Sequence, residues 1–195
     1  MKSRGVSVGF LDFALNLACI LLAIMVVSTI EEPKKSEGSV TPKAEFLIEM
    51  TWPDGSQNDM DLYVRAPNGE IVYFKNMRTP LMFLDVDNLG VGNTYMSENG
   101  SSKAIPARVE ITTIRGIVPG RYTVNVHEYR QNVPGIEAVR VKVTKLNPYS
   151  VISDSQYSLN ATGAERTFVN FTVNDAGAVT SIDASQVRLV SRKEP

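Results

Sequence analysis

The chain is poor in the residues that most metal sites and many enzymes need. Its 195 residues include one cysteine, Cys19, and one histidine, His127, and the formal net charge is only −1. A single cysteine excludes a disulfide framework, and one cysteine with one histidine excludes a zinc site and thiol catalysis. The balanced charge argues against nucleic acid as a partner. We therefore predict a protein that is not an enzyme.

What the sequence does have is one long apolar run, FLDFALNLACILLAIMVVSTI, from Phe10 to Ile30. A helix needs ~20 such residues to cross a hydrocarbon core. The apolar part exceeds the ~7–15 residues of a signal-peptide core and no small-x-small cleavage site follows, so we interpret it as an uncleaved signal anchor. Lys2 and Arg4 place residues 1–9 in the cytoplasm by the positive-inside tendency. The prediction is a single transmembrane helix over residues 10–30.

An acid, Asp12, lies just inside this run. A charged carboxylate at the centre of a membrane helix costs roughly 2.5–3.5 kcal/mol, and acids at such positions typically carry protons or ions. Asp12 is therefore the candidate ion carrier. The alternative is a plain anchor, in which the Asp12 carboxylate reaches back to the cytoplasmic headgroups.

Small and polar residues recur along one face of the predicted helix, at alternating spacings of three and four. They are Gly5, Gly9, Asp12, Asn16, Cys19 and Ala23. Small side chains let two helices approach closely, and an asparagine can hydrogen-bond across the pair. We predict that this face contacts protein, including a second copy of the chain in a homodimer.

The segment Phe10-Leu11-Asp12-Phe13-Ala14-Leu15, with its apolar continuation to Val27, resembles the membrane helix of MotB/ExbD/TolR-type subunits of ion-driven bacterial stator complexes. The resemblance implies that Asp12 binds the translocated proton. It also implies that two copies sit inside a pentameric ring of a multi-span MotA/ExbB/TolQ-like partner in the bacterial inner membrane. The rest of the chain departs from that family, because it lacks the family's usual periplasmic domain.

A segment rich in charge, proline, serine and glycine follows, and residues 31–43 are predicted to be a flexible linker. From residue 44 to 195 the pattern is all-β, because short alternating strands are separated by turn residues. The predicted strands cover 46–50, 60–64, 71–74, 81–87, 107–113, 121–128, 137–146, 166–173 and 178–182. Turns are predicted at Pro67-Asn68-Gly69 and Asn174-Asp175-Ala176-Gly177. The predicted fold is an antiparallel β-sandwich on the periplasmic side.

Several spaced motifs occur in this part: Trp52, Asp59-Met60-Asp61-Leu62-Tyr63-Val64, Pro67-Asn68-Gly69-Glu70, Leu84-Asp85-Val86-Asp87, Pro119-Gly120-Arg121-Tyr122-Thr123-Val124 and Tyr129. In this order they resemble the YfaP-like family of bacterial sandwich domains. The resemblance implies the sandwich fold and export from the cytoplasm rather than an activity.

Two Asp-x-Asp pairs, Asp59 with Asp61 and Asp85 with Asp87, are candidate calcium ligands. Residues i and i+2 of a strand point to one face, so each pair presents two hard oxygens to one side. The alternative is that these acids serve turns and strand starts. Alternation along the strand at 121–128 places His127 opposite the apolar residues, and we predict that it is exposed.

These observations predict a single-pass subunit of a proton-driven stator or energy-transducing complex, whose periplasmic sandwich anchors the complex or transmits force. The alternative is an envelope adhesion or scaffold module with a plain signal anchor. In that case the outer domain would bind an envelope protein or glycan and the helix would serve only as a tether.

Overall fold

The computed structural model describes residues 8–29, 43–90, 95–98, 101–104 and 106–191. The chain divides into two compact units, one within residues 1–41 and one within residues 42–195. Apart from Lys43, the predicted linker lies outside the described residues, and so do residues 1–7 of the predicted cytoplasmic segment.

The first unit contains one α-helix, α1, Val8–Thr29, of 22 residues. At a rise of 1.5 Å per residue it is about 33 Å long. The helical part of the prediction for residues 10–30 is thereby confirmed. Its large apolar side chains are exposed, with values of 65% for Phe10 and 67% for Leu22. No helix among the described residues is long and apolar enough to qualify as a membrane span.

The second unit is built from β-strands. Their bounds are β1 Phe46–Trp52, β2 Asp59–Arg65, β3 Ile71–Val72, β4 Met82–Val86, β5 Tyr95–Glu98, β6 Ser101–Ala104, β7 Arg108–Ile114, β8 Gly120–Arg130, β9 Glu137–Leu146, β10 Tyr149–Leu159, β11 Glu165–Val173 and β12 Val179–Asp183.

Ten of these strands form two five-stranded sheets. Sheet A has the order β10-β9-β1-β7-β4 and sheet B the order β12-β11-β8-β2-β3, while β5 and β6 pair separately. Every pairing between the strands is antiparallel. The predicted antiparallel sandwich is therefore confirmed in outline. Strands β5, β6 and β10 were not predicted, and β10 is one of the two edge strands of sheet A.

Alternate residues from the two sheets make the core between them. On β1, Phe46, Ile48 and Met50 are fully buried. The Phe171 ring of β11 lies 5.3 Å from the Phe46 ring of sheet A and stacks at 5.1 Å on Tyr122 of β8. Burial of these apolar surfaces is the main force that holds the two sheets together.

Both predicted turns are present. Gly69 and Gly177 have positive φ values of 89° and 73°, a region that favours glycine because it has no Cβ. A Cβ on Gly177 would also lie 2.5 Å from the Ile117 side chain. The Asn174–Gly177 turn is closed by the Gly177 amide, which donates to the Asn174 carbonyl.

We expect Phe171→Ala to lower the free energy of unfolding by about 3–5 kcal/mol, because it leaves a cavity between the two sheets. Chemical denaturation of the full-length protein measures the change. Ile182→Ala is the control, since Ile182 is 51% exposed and its truncation opens no cavity. An equal loss in both variants would show that Phe171 is not a core residue.

Candidate functional site

The residues predicted to form the helix interface lie on α1. Gly9, Asp12, Asn16, Cys19 and Ala23 are all exposed, and their spacing places them on one face of the continuous helix. The Asn16 side-chain amide donates to the main-chain oxygen of Asp12 at 2.9 Å, not to its carboxylate. This face therefore combines small, polar and acidic groups on a helix that is otherwise apolar.

In the sandwich, acids from three segments come together near the start of β2. Asp59 and Asp61 lie on β2, Asp87 follows β4, and Glu110 lies on β7. Their charges are close enough that Asp61 and Asp87 each raise the pKa of both Asp59 and Glu110. We call these four residues the acid cluster. Arg130 of β8, which pairs with Asp59 in the sheet, is the cation that opposes this effect at Asp59.

The innermost member of the acid cluster is Glu110, which is 1% exposed. One carboxylate oxygen accepts from the Leu62 amide of sheet B at 2.8 Å, and the other accepts from the Asn88 amide at 3.3 Å. Glu110 belongs to sheet A, so its side chain joins the two sheets and the loop after β4. Burial, reinforced by the charge of Asp61, raises the pKa of Glu110 well above its ordinary range, and the two amides only partly offset this.

Asp59 lies at the half-buried rim of the acid cluster. Burial is the largest cause that raises its pKa, from an ordinary 3.8 to about 6, and the charges of Asp61 and Asp87 add to it. Among the described residues its buried Oδ1 atom has no hydrogen-bond partner. A carboxyl group in this setting changes its protonation near neutral pH.

The expectation that Asp85 and Asp87 present their oxygens to one side is wrong. A β-bulge between Leu84 and Val86 breaks the pairing of β4 with β7 at this residue, so Asp85 and Asp87 lose their common face. Asp85 instead accepts from Arg115 at 2.6 Å and from the Thr113 hydroxyl. It forms a local ion pair on sheet A.

The prediction that His127 is exposed is also wrong, because its side chain is 2% exposed. It does lie opposite the core-facing residues of β8, but aromatic rings cover that side of sheet B. Tyr63 and Tyr129 approach the imidazole edge-on, with ring centroids 6.0 and 6.3 Å away. The His127 Nδ1 atom lies 3.7 Å from Asp61 Oδ2, which is beyond hydrogen-bond length.

Of the four candidate calcium ligands, Asp59, Asp61 and Asp87 lie close enough for their charges to interact, whereas Asp85 does not belong to the acid cluster. Within the part of the chain that the structure describes, no three His, Cys, Asp or Glu side chains are grouped so that they could hold a metal ion. The arrangement concentrates negative charge, and together with burial this charge raises the pKa values of Asp59 and Glu110.

Sequence reasoning missed Glu110 and Arg130. On β7 the polar residues Arg108, Glu110 and Thr112 are buried while Val109 and Ile111 are half-buried, which reverses the usual assignment of apolar residues to the core. The only signal was this polar alternation within a strand. It does not reveal which element lies opposite.

Comparisons with known proteins identify no family for this chain. No family model matches the chain, and no curated protein matches it. The chain is similar to a solved structure titled as the crystal structure of unknown function protein SAV2460, at 17% sequence identity and a TM-score of 0.44. The match covers 73% of this chain and 91% of that one.

We expect Glu110→Ala to destabilise the protein by about 1–3 kcal/mol, because the buried Leu62 amide loses its acceptor. Glu110→Gln keeps one oxygen to accept from the Leu62 amide but turns an NH2 donor toward the Asn88 amide, so it should lower the free energy of unfolding by less than Glu110→Ala does. Glu49→Ala, on the neighbouring strand β1, is the control. If both variants lower the free energy of unfolding by the same amount, acceptance from the Leu62 amide is not how Glu110 stabilises the fold.

The raised pKa of Asp59 predicts a pH dependence of stability. Its pKa in the folded state lies above the unfolded value, so its contribution is full below pH 4 and is lost as pH rises through about 6. From pH 5 to pH 7 the free energy of unfolding should therefore fall, by about 1 kcal/mol after allowance for solvent screening. Because Glu110 also has a raised pKa and adds to this fall, Asp59→Asn should remove only the part of the slope that comes from Asp59, and the exposed Asp175→Asn should leave the slope unchanged. A wild-type slope that persists in Asp59→Asn would contradict the assignment.

Proposed function

We propose that the chain is a single-pass subunit of a proton-driven complex in the bacterial inner membrane, with α1 in the membrane and the sandwich in the periplasm. Asp12 is the proton carrier, and the sandwich anchors the complex or transmits force. The observation that carries this proposal is a carboxylate on the small, polar face of a helix that is otherwise apolar.

The apolar surface of α1 supports a membrane location. Every residue from Gly9 to Met25 is exposed, and the large apolar side chains among them include Phe13, Leu17 and Ile24. A helix that is apolar on most of its circumference is stable only when lipid or protein covers it. No helix of the described residues qualifies as a membrane span, so the length argument rests on the sequence run Phe10–Ile30, which has the ~20 residues that lipid would require.

The two polar residues of α1 support a protein neighbour at one face. Asp12 and Asn16 lie one turn apart, and the Asn16 amide is bonded to the helix backbone. Lipid offers no partner for a carboxylate, so a membrane helix turns such a face toward other helices. The partner that fits is a multi-span protein of the MotA/ExbB/TolQ kind, with a second copy of α1 packed along the same face.

The mechanism follows from the two protonation states of Asp12. The charged form is costly in the membrane unless the partner supplies polar groups, whereas the neutral form can face a drier environment. Uptake of a proton from the periplasmic side and its release to the cytoplasm would therefore alternate the preferred position of the helix against its partner. This alternation is what would turn proton flow into movement.

We expect Asp12→Asn to reduce proton flux through the assembled complex to background, because an amide cannot carry the proton. Asp12→Glu should retain part of the flux, and Asp175→Asn, an acid-to-amide change on an exposed loop, should leave it unchanged. Dye-monitored proton flux into vesicles that contain the complex measures the effect, and co-purification confirms that assembly is intact. Full flux in Asp12→Asn would contradict the proposal and favour a plain anchor.

A further inference from the structure

One lysine is buried at the end of the sandwich core. Lys145 is 9% exposed and follows Val139, Val141 and Val143 on the core-facing side of β9. It pairs with Phe46 at the start of β1, and its Nζ atom lies 5.3 Å from the centroid of the Phe46 ring. Lysine is among the residues least often found at such depth, because its charge must leave water.

The ammonium group of Lys145 is only partly compensated. Its Nζ atom donates to the Gly177 carbonyl at 2.6 Å, although an ammonium group carries three N–H donors. The face of the Phe46 ring attracts the charge but offers no hydrogen-bond acceptor. Within the described ranges no carboxylate forms an ion pair with Lys145. A buried charge is normally paired, so this group lacks a counter-ion.

Lys145 lines a cavity of about 380 Å³. The β9–β10 hairpin of sheet A forms one wall, and the turn before β12 of sheet B forms the other. Small-molecule sites in proteins typically have volumes of about 300–1,000 Å³. Gly177 leaves room beside the ammonium group, because a Cβ at this position would lie 3.7 Å from Lys145 Nζ.

The rest of the lining is apolar or neutral. Ile152 of β10 and Val179 of β12 are half-buried, and both pack against the core. Ser150 pairs with Lys145 across sheet A, so its hydroxyl lies on the same face as the ammonium group. The lining contains no acid. The cavity thus combines one cation, one neighbouring hydroxyl and an apolar wall.

We infer that this cavity binds a small organic carboxylate with an apolar substituent. The Lys145 ammonium group donates to the carboxylate in a charge-assisted hydrogen bond, and the Ser150 hydroxyl is the second donor. The apolar substituent packs against Ile152 and Val179. A single cation matches a singly charged acid, and an apolar wall does not solvate a second charge. This site lies within the sandwich and is independent of the role proposed for α1.

The test follows an isoleucine methyl group in the cavity wall. Full-length protein in detergent micelles, labelled with carbon-13 at isoleucine methyl groups, is titrated with butyrate and separately with butyramide, its neutral isostere. We expect butyrate to shift the Ile152 methyl signal in a saturable way and butyramide to leave it in place. The methyl signal of Ile136, which is 75% exposed outside the cavity, should not move with either compound. No saturable shift with butyrate, or an equal shift with butyramide, would overturn the proposal.

Two lysine variants assign the binding to the ammonium group. Lys145→Met keeps the length of the side chain and removes the charge, so it should weaken butyrate binding about tenfold or more. Lys142→Met makes the same change on the other face of β9 and should leave the affinity unchanged. Equal affinities in the two variants would contradict the role of Lys145. If Lys145→Met does not fold, the comparison of butyrate with butyramide on the wild type still decides the proposal.

A free acid and the C-terminal carboxylate of a peptide offer the same chemistry to this cavity. Titration with N-acetyl-alanyl-valine, with its C-terminal amide as the control, separates the two sources. Binding of the peptide acid more tightly than butyrate would assign the site to a peptide C terminus, and tighter binding of butyrate would assign it to a free acid. A shift of Ile152 that is the same for the peptide acid and its amide would contradict recognition of a carboxylate.

Discussion

The buried carboxylate of Glu110 is the contact on which the arrangement of the sandwich around the acid cluster depends. It extends from sheet A to the Leu62 amide on sheet B and to the Asn88 amide in the loop that carries Asp87. An acid that accepts two buried amides fixes the segments that bear them. The same contact brings Asp61 and Asp87 near Asp59, and their charges add to the effect of burial, which is the larger cause of the raised pKa of Asp59.

Periodicity was sufficient to predict much of the fold and less of the site. The apolar run predicted α1, and alternation with turn residues predicted both sheets, because those signals are local. β10 was missed because YSVISDSQYSL is rich in serine and lies at an edge, where burial imposes little pattern. The errors at Asp85 and His127 have one cause. The bulge at Asp85 and the aromatic rings that cover His127 both depend on which strand lies beside each residue. A single sequence does not reveal that neighbour.

The two units divide the proposed roles between them. The helix carries the candidate proton carrier and the face for its partner. The sandwich carries the acid cluster at one end of β2 and, on the outer face of sheet B, polar residues that bond the main chain of residues 185–190. Glu110 and Glu165 accept from main-chain amides, and Asn125 and Asn170 donate to main-chain oxygens.

The most direct test of the account uses the chain's only thiol, Cys19, which lies exposed on α1. A water-soluble maleimide labels thiols that water reaches, and it does not enter the hydrocarbon core of a membrane. In isolated membranes we predict that Cys19 stays unlabelled until the membrane is dissolved and the protein denatured. Rapid and complete labelling of Cys19 in intact membranes would contradict a membrane location for α1 and, with it, the role proposed for Asp12.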